Sequence, residues 1–83
     1  MNNLTDLLKL LSAHRDAVLR DTDVNEWKDV FTFSFRFEFD SLFSATQAMM
    51  TVDQHANWSS SLNATDATLF GESVHVTFSF EQN

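Results

Sequence analysis

Two kinds of periodicity divide the chain into a helical N-terminal segment and a longer part that favours strands. Near the N-terminus, apolar residues recur at spacings of three and four: Leu4, Leu7, Leu8, Leu11, Val18 and Leu19. This stripe is typical of an amphipathic helix and predicts one from about residue 4 to 20. The segment that follows, 21–26, is polar and rich in turn-forming residues, so it is predicted to be a connecting loop.

Phenylalanine occupies every second position from Phe31 to Phe39, with Thr, Ser, Arg and Glu between. Strand side chains alternate between the two faces of a sheet, so this pattern is that of a half-buried strand. Trp27 continues the alternation towards the N-terminus. The sequence therefore predicts a long strand over 27–39 whose aromatic face forms most of the core.

The C-terminal segment repeats this alternation from Val74 to Phe80 and predicts the last strand. Two weaker strands are predicted before it, over 51–58 and 64–70. The only glycine of the chain, Gly71, marks a hairpin turn between the third and fourth strands, because glycine adopts positive φ at little cost.

The segment 41–50 is ambiguous. Its Ala, Gln and Met residues favour a short helix, capped by Asp40 or Ser41, over a direct turn into a longer second strand. The serine-rich residues 59–63 are predicted to form a loop tip. No linker or internal repeat divides the chain, so we predict an α+β fold with a single domain, 1–83. Its N-terminal amphipathic helix packs on one face of a four-stranded antiparallel sheet.

The composition limits the class of protein. The chain has 83 residues, no cysteine and nine phenylalanines. A chain of this length buries about 60–65% of its unfolded surface and needs a dense core, which the phenylalanines supply. The absence of cysteine excludes a disulfide-stapled scaffold. The N-terminus lacks the basic region of a signal peptide, and no apolar run approaches the ~20 residues of a spanning helix, so a cytoplasmic protein is expected.

Charge is unevenly distributed along the chain, whose formal net charge is −7. All five Lys and Arg residues precede position 37, and the remaining residues include six acidic ones. Such a surface repels nucleic acid and attracts basic partners. The predicted partner-binding residues of this acidic face are Glu38, Asp40, Asp53, Asp66, Glu72 and Glu81. On one side of a sheet their spacing, up to about 7 Å, would be comparable with that of successive phosphates. The alternative is an acidic face that only maintains solubility.

Motifs for catalysis or metal binding are absent from the sequence. It has no GxSxG elbow, phosphate-binding glycine loop or dinucleotide fingerprint. Asp21 and Asp23 are predicted to lie in a turn where nothing perturbs them. His14, His55 and His75 lack the spacing of metal ligands, so structural or solvent-exposed roles are expected for them. We therefore predict a non-enzymatic protein without a cofactor.

In size, acidity, lack of catalytic motifs and helix-plus-sheet form, the chain is similar to small phage-encoded inhibitors such as anti-CRISPR and anti-restriction proteins. Many proteins of that kind look like nucleic acid to their targets. The similarity is one of composition, so it implies a class of function and transfers no site residue. It favours an inhibitor that blocks a basic nucleic-acid-binding protein in the host cytoplasm and does not itself bind nucleic acid.

Two other functions are left open by the sequence. A strand as apolar as Phe31–Phe39 would be an aggregation hazard at a sheet edge, and pairing of two copies would remove the hazard. A self-assembling protein with a dimer through this strand is therefore the alternative. A carrier of a small apolar ligand, with Met49 and Met50 at the mouth of its cavity, is less favoured because methionines more often fill gaps in a core.

Overall fold

The computed structural model of the protein describes residues 3–14, 16–68 and 71–82, without the side chains of 3, 13, 66–68 and 72. The elements along this part of the chain are α1 (Asn3–Ala13), β1 (Val18–Trp27), β2 (Val30–Phe39), α2 (Leu42–Asp53), β3 (Trp58–Thr68) and β4 (Gly71–Gln82). The strands form one antiparallel sheet in the order β1-β2-β4-β3. The predicted α+β fold, with an N-terminal helix on a four-stranded antiparallel sheet and a second helix near 41–50, is confirmed.

The core lies between the two helices and one face of the central strands β2 and β4. Phe35 pairs with Phe78 and Phe37 with Val76, and the side chains of such antiparallel pairs point to the same face. The rings of Phe37 and Phe39 pack edge to face against Phe78, with centroids 5.8 and 6.3 Å away. The helices cover this layer with further buried residues: Leu7, Leu11, Ala45, Ala48 and Val52.

The phenylalanine stripe of β2 is fully buried at one end only. Phe37 and Phe39 are buried, Phe33 and Phe35 are partly buried, and Phe31 is 40% exposed. The molecule is 45 Å long, whereas α2 with its 12 residues spans about 18 Å. The helices are therefore too short to cover the whole apolar face of the sheet.

The first helix ends earlier than predicted, and the predicted loop at 21–26 is part of a strand. α1 stops at Ala13, and β1 begins five residues later. Val18 and Leu19, which extend the helical stripe in the sequence, pair instead with the end of β2. The polar segment gains a ladder of backbone hydrogen bonds along β2, and this tertiary pairing outweighs its weak strand propensity.

Trp27 ends β1 and does not belong to the phenylalanine strand. Lys28 and Asp29 form a two-residue turn with φ values of 51° and 66°, which brings Trp27 opposite Val30. Positive φ at both central residues is the geometry of a type I′ turn, whose twist suits a two-residue hairpin. The turn was not predicted because its sequence lacks the Asn and Gly that usually mark it.

The second helix is longer than the predicted 41–50. The Ser41 hydroxyl accepts a hydrogen bond from the Ser44 amide at 3.1 Å and caps the helix, which then continues to Asp53. Val52, predicted to lie on a strand, is a buried residue of this helix. The capping prediction for Ser41 is confirmed, and the strand predicted over 51–58 is wrong.

β3 begins at Trp58 and includes the serine-rich residues 59–63 that were predicted to form a loop tip. A β-bulge interrupts its pairing with β4 within this segment, between Leu62 and Ala64. Serine is a weak strand former, so its place in β3 follows from pairing with β4 and not from local preference. The predicted hairpin between the last two strands is confirmed, since Thr68 pairs with Gly71, whose φ is 136°.

The strand order reveals two αββ units that the sequence analysis did not separate. The first unit, α1-β1-β2, and the second unit, α2-β3-β4, meet through β2 and β4 and leave β1 and β3 at the edges. Thr-Phe-Ser-Phe occurs in both, at 32–35 and 77–80. Ser34 lies opposite Ser79, with their hydroxyl oxygens 3.4 Å apart. The units are therefore related by an approximate two-fold axis that passes between these serines.

Candidate binding site on the open face of the sheet

The sheet face turned away from the helices, which we call the open face, is polar along both central strands. It is formed by the residues that alternate with the phenylalanines of β2 and by their partners on β4. Four pairs cross it in order: Thr32 with Glu81, Ser34 with Ser79, Arg36 with Thr77, and Glu38 with His75. The helices pack on the other side, so a partner can reach this face directly.

β1 adds two carboxylates to the open face. Asp21 pairs with Arg36 and Asp23 with Ser34, so both aspartates share the face of those residues. They are two positions apart on one strand, which separates them by about 7 Å. Each accepts a hydrogen bond from the amide of the next residue, at 3.0 Å for Asp21 and 2.9 Å for Asp23. Both side chains remain exposed at the edge of the sheet.

A shallow cavity of about 150 Å³ lies between these aspartates and the central strands. Its lining consists of Asp21, Thr22, Asp23, Ser34, Arg36 and Thr77. The lining therefore includes two carboxylates, one guanidinium, and Ser34 and Thr77 of the open face. The volume suits a single side chain of a partner better than a whole ligand, since ligand pockets usually measure about 300–1,000 Å³.

A chain of polar contacts crosses the other end of the open face. Arg20 Nη2 donates to Glu38 Oε1 at 2.9 Å, and His75 Nε2 lies 3.4 Å from Glu38 Oε2. Arg36 Nη1 lies 3.2 Å from His75 Nδ1. Because a guanidinium can only donate, Nδ1 accepts in this contact, and the ring proton is on Nε2, facing Glu38. The contacts hold four side chains in fixed positions.

Glu38 is a carboxylate of the open face whose pKa is lowered by its neighbours. The hydrogen bond from Arg20, followed by one from the Ser73 hydroxyl, holds the pKa of Glu38 below its ordinary value. These partners also occupy its oxygens. Glu38 therefore serves first to position its neighbours, and it is less available to a partner than Asp21 and Asp23.

The six residues of the predicted acidic face do not all lie on one surface. Glu38 and Glu81 share the open face, and Asp40 follows the end of β2 as an exposed residue. Asp53 lies on α2, on the helix side of the sheet, where it accepts a hydrogen bond from the Ser60 hydroxyl at 2.8 Å.

The other two predicted residues, Asp66 and Glu72, have side chains outside the described part of the structure. The backbone register places Asp66 opposite Ser73 and Glu72 opposite Ala67, at the far end of the β3-β4 hairpin.

Asp21 and Asp23 are the residues of this surface that the sequence analysis missed as binding candidates. They were assigned to a loop, because the first helix was extended too far and left them between two elements. The weak alternation of Asp21, Thr22, Asp23 and Val24 was the available signal for a strand with its acidic side chains on one face.

A second charged cluster lies on the helix side, where α1 connects to β1. Asp16 Oδ1 and His14 Nδ1 are 2.8 Å apart, and the His14 ring packs edge to face on Phe39. Burial raises the pKa of Asp16, but hydrogen bonds from the Ser44 hydroxyl and from His14 outweigh this effect and lower its pKa. Ser44 belongs to the first turn of α2, so the cluster ties the first unit to the second.

The remaining histidine, His55, is exposed after α2. Within residues 3–14, 16–68 and 71–82, no three His, Cys, Asp or Glu side chains come together as a metal site. No helix in these ranges has the length and apolar character needed to cross a membrane. Comparison of the chain with protein-family models, curated proteins and solved structures finds no match.

Proposed function

We propose that this protein is a non-enzymatic binding protein whose open face occupies the nucleic-acid-binding surface of a basic partner and blocks it. One observation carries the proposal: Asp21, Asp23 and Glu81 place three exposed carboxylates on one face, where they outnumber Arg36, the cross-strand neighbour of Asp21. In the described part of the chain, none of the three forms an ion pair with Lys or Arg.

The arginines of the open face offset only part of this negative surface. Arg20 is paired with Glu38, and Arg36, whose contact with His75 leaves its charge in place, is a single cation beside three carboxylates. Beyond position 36 the chain has no Lys or Arg at all. A partner rich in Lys and Arg would therefore meet carboxylates and hydroxyl acceptors and few competing cations.

The spacing of the sheet also supports a nucleic-acid-like surface. Strands lie about 4.8 Å apart, and side chains on one face of a strand repeat about every 7 Å. The open face therefore presents acceptors on a regular grid, with Asp21 and Asp23 along one edge and Glu81 near one end. With a net charge of −7, such a surface accelerates encounter with a basic partner, and salt weakens the attraction.

The proposal is tested by affinity capture of the tagged protein from a native lysate, with the wild type compared with Asp21→Asn/Asp23→Asn. The wild type should retain a nucleic-acid-binding protein that high salt or added DNA displaces. The double variant should lose at least about tenfold in affinity for that protein, because two exposed charges of the contact are removed.

A matched control distinguishes a loss of affinity caused by the open face from one caused by net charge. Asp6→Asn/Asp29→Asn changes the charge by the same amount, but Asp6 lies on α1 and Asp29 lies in the turn between β1 and β2. This control should bind as the wild type does. An equal loss of affinity in both double variants would mean that binding depends on net charge alone. Full binding by Asp21→Asn/Asp23→Asn, or capture of no nucleic-acid-binding protein, would overturn the proposal.

A further inference from the structure

His75 lies in the middle of the polar contacts on the open face, and its two ring nitrogens have opposite roles. Nδ1 accepts a hydrogen bond from Arg36 Nη1 at 3.2 Å, because a guanidinium can only donate. Nε2 carries the ring proton and lies 3.4 Å from Glu38 Oε2 and 3.4 Å from the Ser73 hydroxyl oxygen. The contact with Arg36 therefore exists only while Nδ1 has a free lone pair, which means while the ring is neutral.

A proton taken up from solvent removes this lone pair. Histidine side chains change their charge between about pH 8 and pH 5, and both ring nitrogens of the charged form are donors. Nδ1–H then faces Arg36, which also donates and is also positive, whereas Nε2–H gains an ion pair with Glu38. Because two cations with facing donors repel each other, protonation of His75 breaks its contact with Arg36 and strengthens the one with Glu38.

Arg36 is the cation that leaves the cluster when the ring is charged. Arg20, the other arginine of the open face, is held by Glu38 at 2.9 Å. For the Arg36 side chain, by contrast, His75 is the only hydrogen-bond partner among the described residues. Loss of this one contact therefore frees the Arg36 guanidinium, while Arg20 keeps its carboxylate.

The other elements around the ring add one charged residue. On β3, Ala64 lies opposite His75, and Asp66, the only acidic or basic residue of that strand, has its backbone opposite Ser73. The two helices pack on the other face of the sheet. The charges that respond first to the ring are therefore those of β1 and β2.

Asp21 is the carboxylate that a released Arg36 meets directly across the sheet. The two residues are paired between β1 and β2, and both line the cavity of the open face together with Asp23. While Arg36 contacts His75, no ion pair joins it to either aspartate in the part of the chain that the structure describes. Side chains paired across strands start about 5 Å apart at Cβ, so a freed guanidinium reaches the carboxylate by rotation of its own bonds.

We infer that His75 is a pH-dependent switch of the open face, which holds Arg36 when its ring is neutral and releases Arg36 to Asp21 when its ring is protonated. In the first state Asp21 is free for a basic partner. In the second state Arg36 neutralises it, so acidification weakens binding. The movement of Arg36 follows from the contacts of this chain alone, whereas its effect on a partner rests on the proposed function.

Nuclear magnetic resonance of the isolated protein tests the switch without a partner. At about pH 8 the ring nitrogens of His75 should show the Nε2–H tautomer, and towards about pH 5 the Asp21 carboxyl carbon should shift with the midpoint of the ring. Arg36→Gln removes the cation, so the ring should still titrate without the shift at Asp21. His75→Gln keeps a neutral acceptor at every pH, so the Asp21 signal should again stay constant.

Four results would overturn the inference: an Nδ1–H tautomer at about pH 8, a ring that stays neutral at about pH 5, an Asp21 signal that does not follow the ring, and a shift that persists in Arg36→Gln. Both variants should keep the amide spectrum of the folded wild type, which excludes unfolding as the cause of a lost shift.

The affinity for a captured partner, measured at about pH 7.5 and 5.5, is the second readout. The wild type should lose at least about threefold more affinity on acidification than Arg36→Gln, because only the wild type forms the competing pair between Arg36 and Asp21. Both proteins share every histidine, so the general change of charge is the same. An equal loss of affinity would overturn the inference. Capture of no nucleic-acid-binding protein would overturn the proposed function alone, and the Asp21 signal would still decide whether the switch exists.

Discussion

The two αββ units share one architecture but differ in the chemistry of their outer strands. β1 is exposed along its whole length and carries Arg20, Asp21, Asp23 and Glu26, whereas Asp66 is the only charged residue of β3. Charged side chains on an edge strand hinder pairing with other chains. The first unit is thus protected at its edge, and two of these charges, Asp21 and Asp23, also line its candidate site.

The units also contribute unequally to the core. Among the residues that the structure describes, eight of the twelve buried core residues belong to the second unit, and none belongs to β1. The open end of the phenylalanine stripe, with Phe31, lies in the first unit. The second unit therefore supplies most of this buried core, and the first adds an edge strand whose side chains are exposed.

β2 connects the two units, and its place excludes one mode of assembly. It lies between β1 and β4, so its backbone groups are hydrogen-bonded on both sides. The predicted dimer through this strand would need a free edge, which an internal strand does not have. The aggregation hazard of Phe31–Phe39 is thus removed within the monomer.

The largest effect is expected from equivalent phenylalanines of the two units. Phe33 and Phe78 hold the same place in the repeated Thr-Phe-Ser-Phe, but Phe78 is fully buried and Phe33 only partly. Phe78→Ala should cost about 3–5 kcal/mol of unfolding free energy, and Phe33→Ala about 1–2 kcal/mol. Denaturant unfolding measures both. Equal costs would mean that the first unit is as densely packed as the second.

A smaller effect is expected where Asp16 joins the units. Because the folded-state pKa of Asp16 is lowered, its charged form stabilises the protein above the unfolded pKa, near 3.8, and this stability is lost as pH falls through the folded pKa. Asp16→Asn should cost about 1–2 kcal/mol at neutral pH, since a charged acceptor of two hydrogen bonds is replaced.

Unfolding of Asp16→Asn and the wild type at several pH values checks this assignment. The difference in unfolding free energy should be constant near neutral pH and shrink below the unfolded pKa of Asp16. Asp6→Asn is a suitable control, because Asp6 is an exposed residue of α1 and has no part in this cluster. A difference that persists at the lowest pH would show that packing, and not charge, is what Asp16 contributes.

The smallest effect is expected at the turn of the first unit. Lys28 and Asp29 both adopt positive φ without being Gly or Asn. Lys28→Asn/Asp29→Gly fits the type I′ turn better and should stabilise the protein by about 0.5–1 kcal/mol. A higher midpoint of denaturant unfolding with an unchanged slope would support this, and a lower midpoint would mean that the contact of Lys28 with the Trp27 ring, 5.5 Å from its centroid, matters more.

Segments with a strict local pattern were predicted correctly from the sequence, and segments without one were not. Phe31–Phe39 and Val74–Phe80 alternate strictly, and both lie on strands at the centre of the sheet. Ser41 and the residues after it predicted the cap and start of α2. β1 and β3 were misplaced, because their residues have weak strand preference and become strands only through a neighbour.

The candidate site was harder to predict than the fold. The bias of the second half towards acidic residues was visible in the sequence, but a count of charges does not say which side chains share a face. Glu38 and Glu81 share the open face, Asp53 lies on the other side, and Asp21 and Asp23 joined the surface only because their segment is a strand. One register shift would move every residue of β1 to the opposite face.

The residue order of this protein thus settles what depends on near neighbours: the alternation of β2 and β4, the helical stripe of α1, the cap of α2 and the excess of negative charge. The folded chain settles what depends on distant residues: that β1 and β3 are strands, that β2 is internal, and that Asp21 and Asp23 line a cavity. The reason is physical, because a strand without strong local preference exists only through hydrogen bonds to a partner that lies far away in the sequence.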